Sequence, residues 1–250
     1  MKTNLLICAL AISLNACAVD PVDTSTNPTT EDDTSFDEGP HQEKLAANGL
    51  TPEDIQSLGI TANTLTQTVV NNLSVTKQGR GALLYLIQCA MPTSFSITGT
   101  YTGGSFTYVG QFGLAPTWSA SPLNQTSQRT VSSCLFSRLN AFGRNVTISI
   151  RGTGYGMDPG EAASHIYPEG IFYGNLFPGA DNYWGACDSD GPTHVDRQCA
   201  QPGNCSMANP GISSCAATCS LDASGTATSC VANGKTYANP TTVFLDAVSP

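Results

Sequence analysis

Eight cysteines downstream of residue 80 constrain this chain more than any other feature: Cys89, Cys134, Cys187, Cys199, Cys205, Cys215, Cys219 and Cys230. An even set can close completely into disulfides, and such a set belongs to a chain that folds in an oxidising compartment. Six of the eight crowd into the last third, among Gly, Pro, Ser and Asn, so that third reads as loop-rich and disulfide-held. Their connectivity is not readable from spacing.

The N-terminus supplies the export route. Lys2 precedes the apolar run from Leu5 to Leu14, which is too short to span a bilayer as a mature helix and reads as a cleaved signal. Leu14-Asn15-Ala16-Cys17 resembles the lipobox of bacterial lipoproteins, with an aliphatic residue three before the cysteine and a small one just before it. The resemblance implies cleavage after residue 16, diacylation of the Cys17 thiol and acylation of its new amine. Two or three acyl chains anchor stably where one does not. Ala rather than Asp at position 18 points, by the same resemblance, to the outer membrane, periplasmic or surface-exposed. An ordinary secretory signal with a coincidental cysteine is the alternative.

Residues 17–44 are rich in Thr, Pro, Asp and Glu and carry almost nothing that could bury surface, so they read as a tether. As a coil, its roughly 27 residues would reach about 25–30 Å. Residues 45–250 read as one folded domain. Charged residues make up only 12% of the chain and the net charge is −9, much of it in the tether, which leaves no surface suited to phosphates. Nucleic acid is therefore not expected as a partner. The membrane, through Cys17, and a polysaccharide or an envelope protein are the partners expected.

Within the domain, helical signals come first. Thr51-Pro52-Glu53-Asp54 has the pattern of an N-cap, a first-position proline and a capping-box acid, ending before Gly59. Thr61 or Asn63 can cap a second helix through Leu65, Val69 and Leu73, and a third spans Ala82–Met91. Phe95 to Tyr101 alternates with Ser and Thr and, after a glycine turn, Phe106 to Val109 completes a hairpin. Ser127 to Phe142 reads as an amphipathic helix stopped by Gly143, with Val131, Cys134, Leu135, Leu139 and Phe142 on its apolar face. Strands are expected at Val146–Arg151, Ile171–Phe177 and Thr241–Leu245. The class is α+β: N-terminal helices on a mainly antiparallel sheet. Cys89 and Cys134, one from each of two helices, should pair; for a loop of roughly 45 residues the chain-entropy model gives about 4 kcal/mol.

Sites are harder to find. The chain has no G-x-S-x-G, no H-E-x-x-H and no C-x-x-C, and the glycines from Gly152 to Gly156 lack the lysine of a phosphate loop. No cofactor is expected. Zinc on His194 and neighbouring cysteines competes poorly with disulfides. Asp188-Ser189-Asp190-Gly191 has the carboxylate spacing of a calcium loop, but the first and twelfth positions of that frame fall on Ala186 and Arg197, so the motif is incomplete. Glu161, His165 and Glu169 cluster in sequence and are the candidates for acid–base catalysis, which requires two groups held across a cleft. Trp118, Tyr173 and Trp184, among Gly, Asn and Asp, are candidates for a glycan-stacking platform. The two readings differ in one respect: the first needs carboxylates in a cleft, the second needs exposed rings.

From Leu83 onward the chain resembles uncharacterised predicted lipoproteins of myxobacteria and their relatives. The resemblance is carried by Tyr85 to Pro92, Gly113 to Trp118, Cys134 to Asn140, the strand ending Ile150-Arg151-Gly152, and Glu169 to Phe177. It implies the domain limits and the cysteine staples, and no activity.

Overall fold

The computed structural model describes residues 42–45, 48–142, 145–156, 159–179, 181–188 and 215–246. The signal, Cys17, nearly all of the tether, His194, Asp190, Cys199 and Cys205 lie outside the described residues. What is described is an α+β fold in three layers.

The first layer is helical. Helix α1 (Pro52–Ser57) starts where the capping pattern puts it: Asp54 N–H donates to Thr51 Oγ1 at 3.1 Å and Thr51 N–H donates to Asp54 Oδ2 at 3.0 Å. Helices α2 (Gln67–Ser74) and α3 (Lys77–Ala90) are capped by Thr66 and Thr76, each hydroxyl accepting from the N–H three residues on. The cap expected at Thr61 or Asn63 is thus displaced to Thr66, and Asn63 instead gives its carbonyl to the Trp118 indole at 2.8 Å. Helix α3 starts five residues before Ala82, because Thr76 outcompetes Gly79 and Gly81 as a boundary signal.

The hairpin β2 (Ser96–Tyr101) and β3 (Gly104–Val109) leans on α2. Gln67 donates to the Thr98 carbonyl at 2.7 Å and Asn71 accepts from Thr100 N–H at 3.0 Å, so two amides of α2 cover the edge of β2. The chain after β3 returns to the end of α3, where the N–H groups of Phe112, Leu114 and Ala115 bond the last carbonyls of the helix.

Helix α4 (Gln125–Ser137) differs from expectation at both ends. Asn124 caps it, and it stops five residues short of Phe142 because Asn48 intercepts the chain: its amide donates to the Arg138 carbonyl and its oxygen accepts from Asn140 N–H. Phe142 is consequently exposed rather than buried. Nor is the helix amphipathic in its second half: Thr130 to Ser137 are all buried, and Ser132, Ser133 and Ser137 return their hydroxyls to carbonyls of the helix itself. Cys89 and Cys134 form the expected disulfide between α3 and α4.

The middle layer is a five-stranded antiparallel sheet in the order β1 (Gln42–Leu45), β4 (Val146–Arg151), β10 (Thr241–Leu245), β5 (Tyr167–Asn175), β6 (Tyr183–Asp188). Strand β1 takes in Gln42, Glu43 and Lys44 of the stretch read as the tether. Only Leu45 in it is an apolar anchor, and four residues of pairing with β4 leave no periodic signal in sequence. One face of the sheet presents Ile148, Ile150, Phe172, Trp184, Val243 and Leu245 to the helices, in the larger core. Here Gly174 is obligatory: φ is +138° and a Cβ would collide with the Tyr183 carbonyl and approach the Phe136 ring.

The third layer covers the opposite face. A meander of β7 (Cys219–Leu221), β8 (Ala227–Ala232) and β9 (Lys235–Ala238), preceded by the short α6 (Cys215–Thr218), packs Cys219, Cys230 and Tyr237 on Ile171, Tyr173 and Cys187. Cys187–Cys215 ties the main sheet to α6, and Cys219–Cys230 staples β7 to β8 at paired positions. The disulfide-rich last third therefore carries regular sheet as well as loops.

Candidate functional site

The acid–base candidates all lie inside the protein. Short helix α5 (Pro159–Ser164) carries Glu161, His165 follows it, and Glu169 sits in β5 opposite the irregularity at Val243/Phe244. Each of the three is only 2% exposed. Beside Glu161 and His165 stands Arg151 at the end of β4, 6% exposed, which donates from Nε to Ser149 Oγ at 2.9 Å and from Nη2 to the His165 carbonyl at 2.6 Å. Its guanidinium carbon stands 3.8 Å from the centroid of the Phe244 ring. Burial pulls the Arg151 guanidinium below the usual arginine range, and the nearby Glu161 charge opposes that pull. His165 Nδ1 is 3.0 Å from Ser164 Oγ, and the His165 backbone N–H donates to the Glu161 carbonyl at 3.0 Å. The arrangement is a closed polar knot holding α5 to the sheet. A polymer substrate cannot reach it without local opening.

The aromatic platform is not formed. Trp118, Tyr173 and Trp184 are 1%, 1% and 3% exposed, so they fill cores instead of facing solvent. Trp118 meets Phe177 edge-on at 6.2 Å, and Trp184 packs 4.5 Å from Phe136 under α4. Tyr173 belongs to a cluster with Tyr183 and Tyr237, centroids 6.1 and 5.8 Å away, and burial pushes its hydroxyl well above the usual tyrosine range. Gly185, paired with Tyr173, makes room for two of these rings. Sequence composition put these aromatics beside polar residues, but neither that nor spacing shows which way a ring faces, and all three face in.

For calcium, Asp188 ends β6 with its side chain outside the described residues, as is all of Asp190. Among the described residues no group of three His, Cys, Asp or Glu is placed to hold a metal, and no helix is long and apolar enough to cross a membrane.

Three further features have no sequence motif that could have announced them. Arg138 is fully buried, donating to Gln88 Oε1 at 3.0 Å and Gln111 Oε1 at 2.7 Å between the rings of Tyr85 and Phe112. Arg129 grips Asp181 at 2.7 and 2.9 Å, and Lys235 adds a third contact at 3.1 Å. A depression of about 350 Å³ lies between α1 and the turn after β5, floored by Ile55, Ile60, Leu176 and Pro178 and rimmed by the amides of Gln56 and Asn182. Among the described residues no charged side chain lines it.

Comparison with family models, with curated proteins and with solved structures gives no match. The class defined by fold and chemistry is an α+β domain closed by disulfides; its function has to be argued from geometry.

Proposed function

We propose that the chain is a lipid-anchored lipoprotein of the bacterial cell envelope whose domain is a non-catalytic module for a polysaccharide or a protein partner, held to the outer membrane through Cys17. The observation that carries the non-catalytic reading is the 2% exposure of Glu161, His165 and Glu169. Hydrolysis of a polymer requires an acid and a base that meet the substrate, whereas these groups are buried. The lipobox and the disulfides support the envelope location. With the rings buried, a glycan would be met by neutral amides and aliphatic surface, such as the depression between α1 and the turn after β5, rather than by stacking.

The test is the melting temperature of the oxidised chain against peptidoglycan fragments, soluble extracellular polysaccharides and envelope extracts. A ligand at ~100 times its dissociation constant adds about 2.7 kcal/mol. Release of sugar fragments that Glu161→Gln or Glu169→Gln abolishes would overturn the reading in favour of an envelope-polymer hydrolase. Labelling with radioactive palmitate that Cys17→Ser removes, with recovery in the outer-membrane fraction, tests the anchor.

A further inference from the structure

Among the described residues, the two disulfides of the C-terminal part touch. Cys187 Sγ, bonded to Cys215, stands 3.9 Å from Cys219 Sγ, bonded to Cys230, and all four cysteines belong to the one core between the main sheet and the meander. We propose that they form a single exchange unit, in which reduction of either bridge leads to the same product, a Cys187–Cys219 bridge with thiols on Cys215 and Cys230.

The chemistry balances whichever bridge is reduced first. A dithiol reductant supplies two electrons to one bridge and leaves as its own disulfide. If Cys187–Cys215 is the bridge opened, the Cys187 thiolate attacks Cys219 Sγ across the 3.9 Å gap. The Cys187–Cys219 bond forms, the Cys219–Cys230 bond breaks, and the Cys230 sulfur leaves as a thiolate. If Cys219–Cys230 is opened, the Cys219 thiolate attacks Cys187 Sγ and Cys215 leaves. The second step consumes no electrons in either case. A reductant gains access through the outer partners: Cys215 and Cys219 keep 5% and 7% exposure, while Cys187 and Cys230 keep none.

The exchange has a structural effect. Before it, one bridge ties β6 to α6 and the other closes β7 on β8. After it, β6 of the main sheet is bonded directly to β7, and β8 is released. A reductive event then loosens the meander locally yet keeps it covalently fastened to the sheet.

Limited reduction of the oxidised full chain tests this. Dithiothreitol is added below stoichiometry, the reaction is quenched with acid, and free thiols are alkylated with N-ethylmaleimide before digestion and mass spectrometry. The expected main product links Cys187 to Cys219 and carries labels on Cys215 and Cys230, with fragmentation between Cys215 and Cys219 assigning each. Cys89–Cys134, in the other core, should stay closed as the internal control. Labels on Cys187 and Cys215 with Cys219–Cys230 intact, or the converse, would overturn the proposal. Cys215→Ser and Cys230→Ser should both yield the Cys187–Cys219 bridge; if either variant fails to fold, the experiment on the unaltered chain decides alone.

Discussion

Arg129 and Asp181 form a two-point ion pair, Nε to Oδ2 at 2.7 Å and Nη2 to Oδ1 at 2.9 Å, joining α4 to the turn before β6. Arg129 also donates to the Thr236 carbonyl at 2.9 Å and lies over the Tyr237 ring, so the pair fastens the meander as well. The Arg129 guanidinium is the main reason that the Asp181 carboxyl is held down to about 2. A carboxylate depressed on folding contributes fully above its unfolded value near 4 and loses its contribution as pH falls through about 2. Asp181→Asn should therefore cost about 1–2 kcal/mol at pH 7 and only a few tenths of a kcal/mol at pH 2, where the folded carboxyl is half titrated. Urea unfolding of both proteins at the two pH values checks it.

Both tryptophans are buried, at 1% and 3% exposure. Native emission should be blue-shifted and poorly quenched by acrylamide, and saturating glycan should leave it unchanged if sugars do not stack on these rings. Trp118→Ala should destabilise by about 3–5 kcal/mol. A red emission maximum with strong quenching in the native state would contradict the packing described.

The Arg151 knot predicts a stability phenotype without an activity phenotype. Glu161→Gln removes the charge that favours the Arg151 cation, and a loss of about 1–3 kcal/mol is expected in chemical denaturation. Ligand-induced melting shifts should be as large in this variant as in the unaltered protein.

Gly174 offers a sharper test of the sheet. With φ at +138° and the Tyr183 carbonyl in the space a Cβ would occupy, Gly174→Ala should cost more than about 2 kcal/mol. Gly49→Ala isolates the conformational part, because Gly49 has φ of +66° and nothing within 4 Å of a Cβ, so about 1 kcal/mol is expected there.

What the sequence displayed was whatever local chemistry dictates. The Thr51 capping box, the Phe95–Val109 hairpin, the strands Val146–Arg151 and Thr241–Leu245 and the Cys89–Cys134 staple were all legible, because each is written in adjacent residues or in a clear period. The meander carries a local signal too, in Asn233-Gly234: both have positive φ, 51° and 70°, in the two-residue turn between β8 and β9. Long-range effects were not legible. Asn48, from 90 residues away, ends α4 at Ser137, and Arg151 beneath α5 draws Glu161 and His165 out of solvent. The direction in which an aromatic faces is likewise a property of the assembled layers, so Trp118, Tyr173 and Trp184 looked like a platform only in one dimension.

Strand β1 also sets how the domain answers a mechanical pull. A pull on Gln42 passes to β4 through a four-residue ladder anchored by Leu45. The other side of β4 is held by β10, which is held in turn by β5. Every disulfide of the described residues lies beyond β1 in the chain. A pull at Gln42 therefore loads four backbone pairs before it loads any cross-link of the described residues.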